Sequence, residues 1–262
     1  MQKKATLNLE YNRYFLDIAY NGAIYHGWQV QNNVLTIQGI IKESLYKVLN
    51  KDLEIVGSSR TDTGVHAKQQ IAHVDLPDSV DVTQLQYKLN CILPKDIAIK
   101  KIYPVKNNSH ARFSAIDRTY HYNIVYCKSP FYHDFFYNYR NSITWDIDNM
   151  NNSASILHGN IDFRNFSKNK LDLVSSFCNV LYAKWHTTTN GFMFVITANR
   201  FLRGMVRIIV GLMIKIGDQK LDKFKFECML NSEYKIGISK VAPPCGLVLE
   251  RISYDTNIFV NE

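Results

Sequence analysis

The chain has 262 residues, 46% hydrophobic and 21% charged, with a formal net charge of +8. This is a globular composition long enough to bury a core, and the positive excess suits a polyanionic partner or, equally, ordinary solubility. Five cysteines stand at least seventeen residues apart with no CxxC pair, which excludes a zinc ribbon and a redox dithiol and reads as reduced thiols in the cytosol.

The opening residues carry no secretory signal pattern, and "RYFLDIAY" (13–20) alternates as a strand. A loop with two glycines leads to "TIQGIIKESLYKVLN" (36–50), where Ile37, Ile40, Ile41, Leu45 and Val48 share one helical face behind Thr36 as N-cap. "LEIVGSS" reads as a strand that ends in the turn "RTDTG", and "QIAHVDLP" (70–77) as the next strand. A helix over 82–93 stops at Pro94, and "IAIKKIYPV" closes this half as a strand.

In the second half, Tyr120, Tyr122, Ile124 and Tyr126 alternate along a strand. Residues 128–148 read as an irregular insertion, and "NMNNSASILHG" as a short helix ended by Gly159. "SFCNVLYAKWHT" and "GFMFVITA" flank a hairpin turn expected at Asn190-Gly191. "FLRGMVRIIVGLMIKIG" (201–217) is a helix too short and too basic to be a membrane span; "LDKFKFECMLN" is another helix and "GLVLERISY" a last strand. The order implies an α+β protein of two similar halves, 1–105 and 106–262, each a mainly antiparallel sheet backed by helices. A site between such halves is the natural expectation.

Asp62 in "SSRTDTGVHA" is the first candidate for chemistry. A carboxylate that works in a partly desolvated place must stay ionised, which a neighbouring guanidinium favours. Arg60 is one candidate, and Gly64 supplies the turn that would bring it round. The plainer alternative is an Asx-turn in which Asp62 caps its own backbone. An aspartic protease is disfavoured, because no second Asp-Thr/Ser-Gly triplet occurs and an adjacent cation opposes a shared proton.

Arg207 stands among apolar neighbours on its helix, so it needs an anionic partner or a path to water. Arg200, Arg203 and Arg207 fall at spacings of three and four, which puts them on one helical face. That face is either a solvated basic stripe or a place for phosphates, with Arg207 against a carboxylate. Tyr120 shares a strand face with Arg118 and Tyr122, which suits a stacked base or, more plainly, a core tyrosine. The histidines 26, 66, 73, 110 and 121 form no metal-ligand spacing, and neither a phosphate loop nor a nucleophile elbow occurs. No cofactor is implied.

"GSSRTDTGVHA" resembles the "GRTDAGVHA" signature of the tRNA pseudouridine synthase A family. Five further stretches match that family in the same order across nearly the whole chain: "YNGAIYHGWQVQ", "LNCILPKDIAI", "HARFSAIDRTYHY", "ANRFLRGMVRIIVG" and "APPCGLVLERISY". The resemblance implies two α+β halves meeting at a long sheet, helices on its outer face, and a basic cleft between the halves that holds the site. It implies an isomerase that breaks the glycosidic bond of uridine and rejoins the base through C5, at positions 38, 39 and 40 of the tRNA anticodon stem-loop. Asp62 is then the catalytic residue, whether it meets the base, the sugar carbon or first a sugar proton.

Arg207 matches the arginine that holds the aspartate, Arg60 the one that flips or holds the nucleotide, and Tyr120 the tyrosine stacked on the uracil. Arg118, Arg200 and Arg203 are left for the RNA backbone. The resemblance further implies a cytoplasmic homodimer with tRNA as partner, no membrane and no metal. Ser59 and Thr63 depart from the family's glycine and alanine. A module that binds RNA without catalysis is the rival; it would have no use for an ionised carboxylate facing phosphates.

Overall fold

A computed structural model describes residues 11–128, 130, 133–168, 175–230 and 241–260. The first part of the chain forms β1 (Tyr11–Tyr20), α1 (Ile37–Leu49), β2 (Ile55–Gly57), β3 (His66–Pro77), α2 (Val82–Ile92) and β4 (Ile97–Pro104). β5 (Ala115–Val125), β6 (Tyr137–Asn138), α3 (Ile147–Ala154), β7 (Gly159–Asp162) and β8 (Phe177–Thr188) follow. The chain then forms β9 (Gly191–Ala198), α4 (Met205–Gly217), α5 (Lys223–Leu230) and β10 (Leu247–Tyr254).

The strands make one open, mostly antiparallel sheet in the order β4-β1-β3-β10-β5-β9-β8-β7, with β2 on β3 and β6 on β5. Strands from before residue 105 fill one end and those from after 106 the other. They meet at β3 and β10, which run parallel and share two register pairs, Val248↔His66 and Leu249↔Ala67.

Local chemistry explains the elements at the first end. The Thr36 hydroxyl accepts from the Gly39 N–H at 3.3 Å, which starts α1, and Asn50 in the left-handed region ends it. Ile37, Ile41 and Leu45, four residues apart, are fully buried along one stripe of α1. On the sheet, Leu16 of β1 stands between Ala72 of β3 and Ile102 of β4. Burying each Leu or Ile of this kind is worth about 1.5–3 kcal/mol. α2 packs on β4, and α3 on β8 and α4.

Four expectations shift. β3 begins at His66, directly out of the Asp62 turn, rather than at residue 70. The short helix begins at Ile147, where the Asp146 side chain accepts from the Asn149 N–H at 3.0 Å, and Gly159 opens β7 instead of ending a helix. The β8–β9 turn residues are Thr189 and Asn190, while Gly191 pairs with Thr188 inside the ladder. A Cβ on Gly191 would lie 1.9 Å from the Ile124 carbonyl oxygen, so this glycine serves close strand approach. α4 starts at Met205, because Gly204 has φ +72, outside right-handed helix.

Candidate active site

The turn between β2 and β3 is clamped from within the sheet. Gln70, fully buried, takes the Ser58 hydroxyl on its side-chain oxygen at 2.8 Å and donates its amide to the Ser59 carbonyl at 2.7 Å. Two residues on, the hydroxyls of Tyr20 and Thr61 meet at 2.8 Å. The Val65 N–H donates to the Asp62 carbonyl at 3.1 Å, closing a β-turn. Gly64, the third residue of that turn, has φ +75, a left-handed conformation that glycine adopts without strain. The backbone thus makes this turn, and the carboxylate is left for other partners; the Asx-turn alternative falls.

Those partners are cationic. Arg207 Nη1 lies 3.1 Å from Asp62 Oδ2, and Lys168 Nζ lies 3.8 Å from the same oxygen. The Arg207 guanidinium is further held by donating Nε–H to the Ala242 carbonyl at 2.8 Å, while the Ala242 N–H donates to the Arg207 carbonyl at 3.0 Å. The two ion-paired side chains are 12% and 17% exposed. Partial desolvation strengthens the attraction between these two charges and at the same time costs each of them hydration. Loss of Arg207 would strand a half-buried carboxylate.

Tyr120, on β5, is 8% exposed and meets Phe201 edge-on with ring centroids 5.2 Å apart. Burial pushes its phenol up to about 12, opposed by a hydrogen bond with Ser59 and by the Arg118 charge, while the negative charge of Asp62 adds to the rise. The tyrosine is therefore neutral at physiological pH. His66, just past the turn, accepts the Gly22 N–H on Nδ1 at 3.0 Å and packs on Phe135. Burial holds its imidazole below the ordinary range, so it stays neutral and serves as an acceptor for the loop after β1.

The other arginines divide differently from the sequence reading. Arg200 and Arg203 precede α4, so they do not share a helical face with Arg207; Arg200 is half-buried and Arg203 exposed. Arg60 is exposed and, among the described residues, forms no ion pair with Asp62. Arg118 is 6% exposed and spends its guanidinium on the carbonyls of Ala115 (3.1 Å), Asn199 (2.7 Å) and Arg112. It braces the backbone next to two other arginines. Arg112, exposed on one of those braced segments, feels the charges of both Arg60 and Arg200. Sequence reasoning missed Arg112, although it lies inside "HARFSAIDRTYHY", and missed Lys168, which lies in a stretch without periodicity.

A family model described as tRNA pseudouridine synthase matches residues 18–114 and 154–255, which include Asp62, Lys168 and Arg207, while β5 with Tyr120 falls between the two matched segments. The chain belongs to the tRNA pseudouridine synthase family. It is 42% identical over 250 residues to tRNA pseudouridine synthase A of Azobacteroides pseudotrichonymphae, covering 95% of this chain and 100% of that one. The protein of the same name from Porphyromonas gingivalis is 38% identical over 252 residues, covering 95% and 99%. That from Bacillus subtilis is 34% identical over 241 residues, covering 91% and 97%.

Proposed function

We propose that this protein is an isomerase of tRNA processing that converts uridine to pseudouridine at positions 38, 39 and 40 of the anticodon stem-loop. Family membership supports the reaction. The observation that carries the assignment to residues is the Asp62–Arg207 pair, 3.1 Å long and mostly out of solvent, in a turn clamped to the sheet.

The reaction detaches N1 of uracil from the sugar and attaches C5 in its place; C5 gives up one proton and N1 gains one. Composition is unchanged, so no oxidant, reductant or carrier enters. Asp62 acts as the anion at the reacting nucleotide, and Arg207 stabilises its charge where water cannot. Tyr120, neutral and buried at its edge against Phe201, offers a ring to the everted uracil and a phenol near the carboxylate. Everting the nucleotide costs a few kcal/mol. Arg60, Arg200 and Arg203 offset that cost at the phosphates, and Arg118 contributes by holding the backbone beside Arg112 and Arg200 rather than by touching RNA.

The working form in this reading is a cytoplasmic homodimer with one tRNA crossing both subunits, acting without a cofactor. Among the described residues no helix is long and apolar enough to cross a membrane. The test is to incubate the purified protein with unmodified tRNA transcripts and map pseudouridine by position. Modification at 38, 39 or 40 is the expected result; modification elsewhere, or none, overturns the reading. Light scattering with and without tRNA tests the dimer.

A further inference from the structure

We propose that Lys168 is a positioning residue for Asp62, fixing one carboxylate oxygen so that the other faces the target nucleotide; this rests on the isomerase reading above. Both cations address the same atom: Arg207 Nη1 at 3.1 Å and Lys168 Nζ at 3.8 Å from Oδ2. Among the described residues nothing hydrogen-bonds Oδ1. The last torsion of an aspartate is broad and roughly two-fold, so a carboxylate held by one cation can present either oxygen. Two cations arriving on one oxygen remove that ambiguity and leave a single oxygen for the reaction.

The chain delivers Lys168 with a rigid mount. Phe163 and Phe166 are fully buried and meet edge-on at 5.8 Å, and Phe166 meets Phe226 at 6.2 Å. Just beyond this aromatic anchor, the Lys168 N–H donates to the Arg203 carbonyl at 3.0 Å. The lysine stem then crosses the bare Cα of Gly204, where a Cβ would sit 2.9 Å from the lysine Cγ and Cδ. Gly204 therefore meets two demands: it carries φ +72 at the start of α4, and it clears a path for the stem. The residues that launch the helix bearing Arg207 also index Lys168, so the two cations share one backbone reference.

Their exposures set their shares. The lysine side chain is 34% exposed against 12% for Arg207, so its charge is better hydrated and its hold on Asp62 weaker. The rival role for an accessible lysine here is contact with an RNA phosphate.

The test compares wild type, Lys168→Met and Lys168→Arg in single-turnover pseudouridine formation on a tRNA transcript, with tRNA affinity measured across salt concentrations. Lys168→Met is expected to lower the rate at saturating enzyme by about tenfold, with affinity within about twofold of wild type and the same salt dependence. Lys168→Arg, which keeps the charge, is expected to recover most of the rate. An unchanged rate in Lys168→Met overturns the proposal. So does a loss confined to affinity with a shallower salt dependence, which marks a phosphate contact, or a failure of Lys168→Arg to recover any rate while both variants melt like wild type. The same assay separates the two readings: wild type that forms no pseudouridine refutes the isomerase assignment, activity retained by Asp62→Asn refutes the role of Asp62, and an inactive Asp62→Asn beside a normal Lys168→Met refutes only the role of Lys168.

Discussion

On one side of β3 the sheet is held by a long antiparallel ladder, from Tyr11↔Pro77 to Tyr20↔Ala67. On its other side β10 runs parallel and shares only two register pairs, and the Asp62 turn opens directly onto that seam. Along the ladder Leu16, Ala72, Val74 and Leu76 are buried with almost no exposure, and fit there is a matter of shape. Around the seam Ser58, Thr61, His66, Gln70 and Arg118 are buried polar groups that hold one another or the backbone. Apolar packing tolerates small shifts, whereas a buried hydrogen bond is either made or costly to leave unmade. Asp62 and Arg207 therefore sit where the geometry is specified by polar contacts, between the two ends of the sheet.

The contrast breaks most sharply at Arg207. Arg207→Met is expected to slow single-turnover isomerisation by roughly 10²–10³-fold while the protein remains folded, as judged by its thermal midpoint. Normal turnover in that variant would mean that the pair with Asp62 has no part in the chemistry. Leu16→Ala tests the other side: it should cost about 2–5 kcal/mol of stability in denaturant titration yet leave turnover per folded molecule unchanged. A loss of turnover without a loss of stability would erase the distinction between ladder and seam.

The smallest effect is expected from pH acting on the ladder. His73, on β3, accepts the Ala111 N–H on Nδ1 at 3.2 Å. Burial first, then the charges of Arg13 and His110, lowers its imidazole to about 4. A histidine depressed in the folded state contributes stability above its unfolded value of about 6.5, and that stability is lost as pH falls toward 4. The loss should reach about 2 kcal/mol at pH 5. Thermal melts at pH 7 and 5 for wild type and His73→Gln check this, the variant showing the smaller fall; equal falls would place the acid sensitivity elsewhere.

Much of the ladder was legible in the sequence because its signals are local. Thr36 before an apolar stripe, Pro94 after one, and alternation through "RYFLDIAY" each depend on near neighbours, and the helices and strands stand close to where they point. Gly204 misled because apolar spacing continues through it from Phe201, while its φ ends the regularity. Arg118 was placed on the correct strand, but alternation does not say that three carbonyls cover it. Lys168 was invisible for a related reason: its meaning lies in a carboxylate brought near by the tertiary fold, and nothing in its own segment points there. Asp62 needed the family resemblance, since Asp-x-Gly alone marks an ordinary turn.

The most direct test of the whole account is Asp62→Asn, which keeps the shape of the side chain and removes its charge. Single-turnover pseudouridine formation should fall by at least about 10⁴-fold while tRNA binding stays within about threefold of wild type. Retained isomerisation in that variant, or an equal collapse of binding and of thermal stability, would contradict the claim that a carboxylate anion at the seam performs the chemistry.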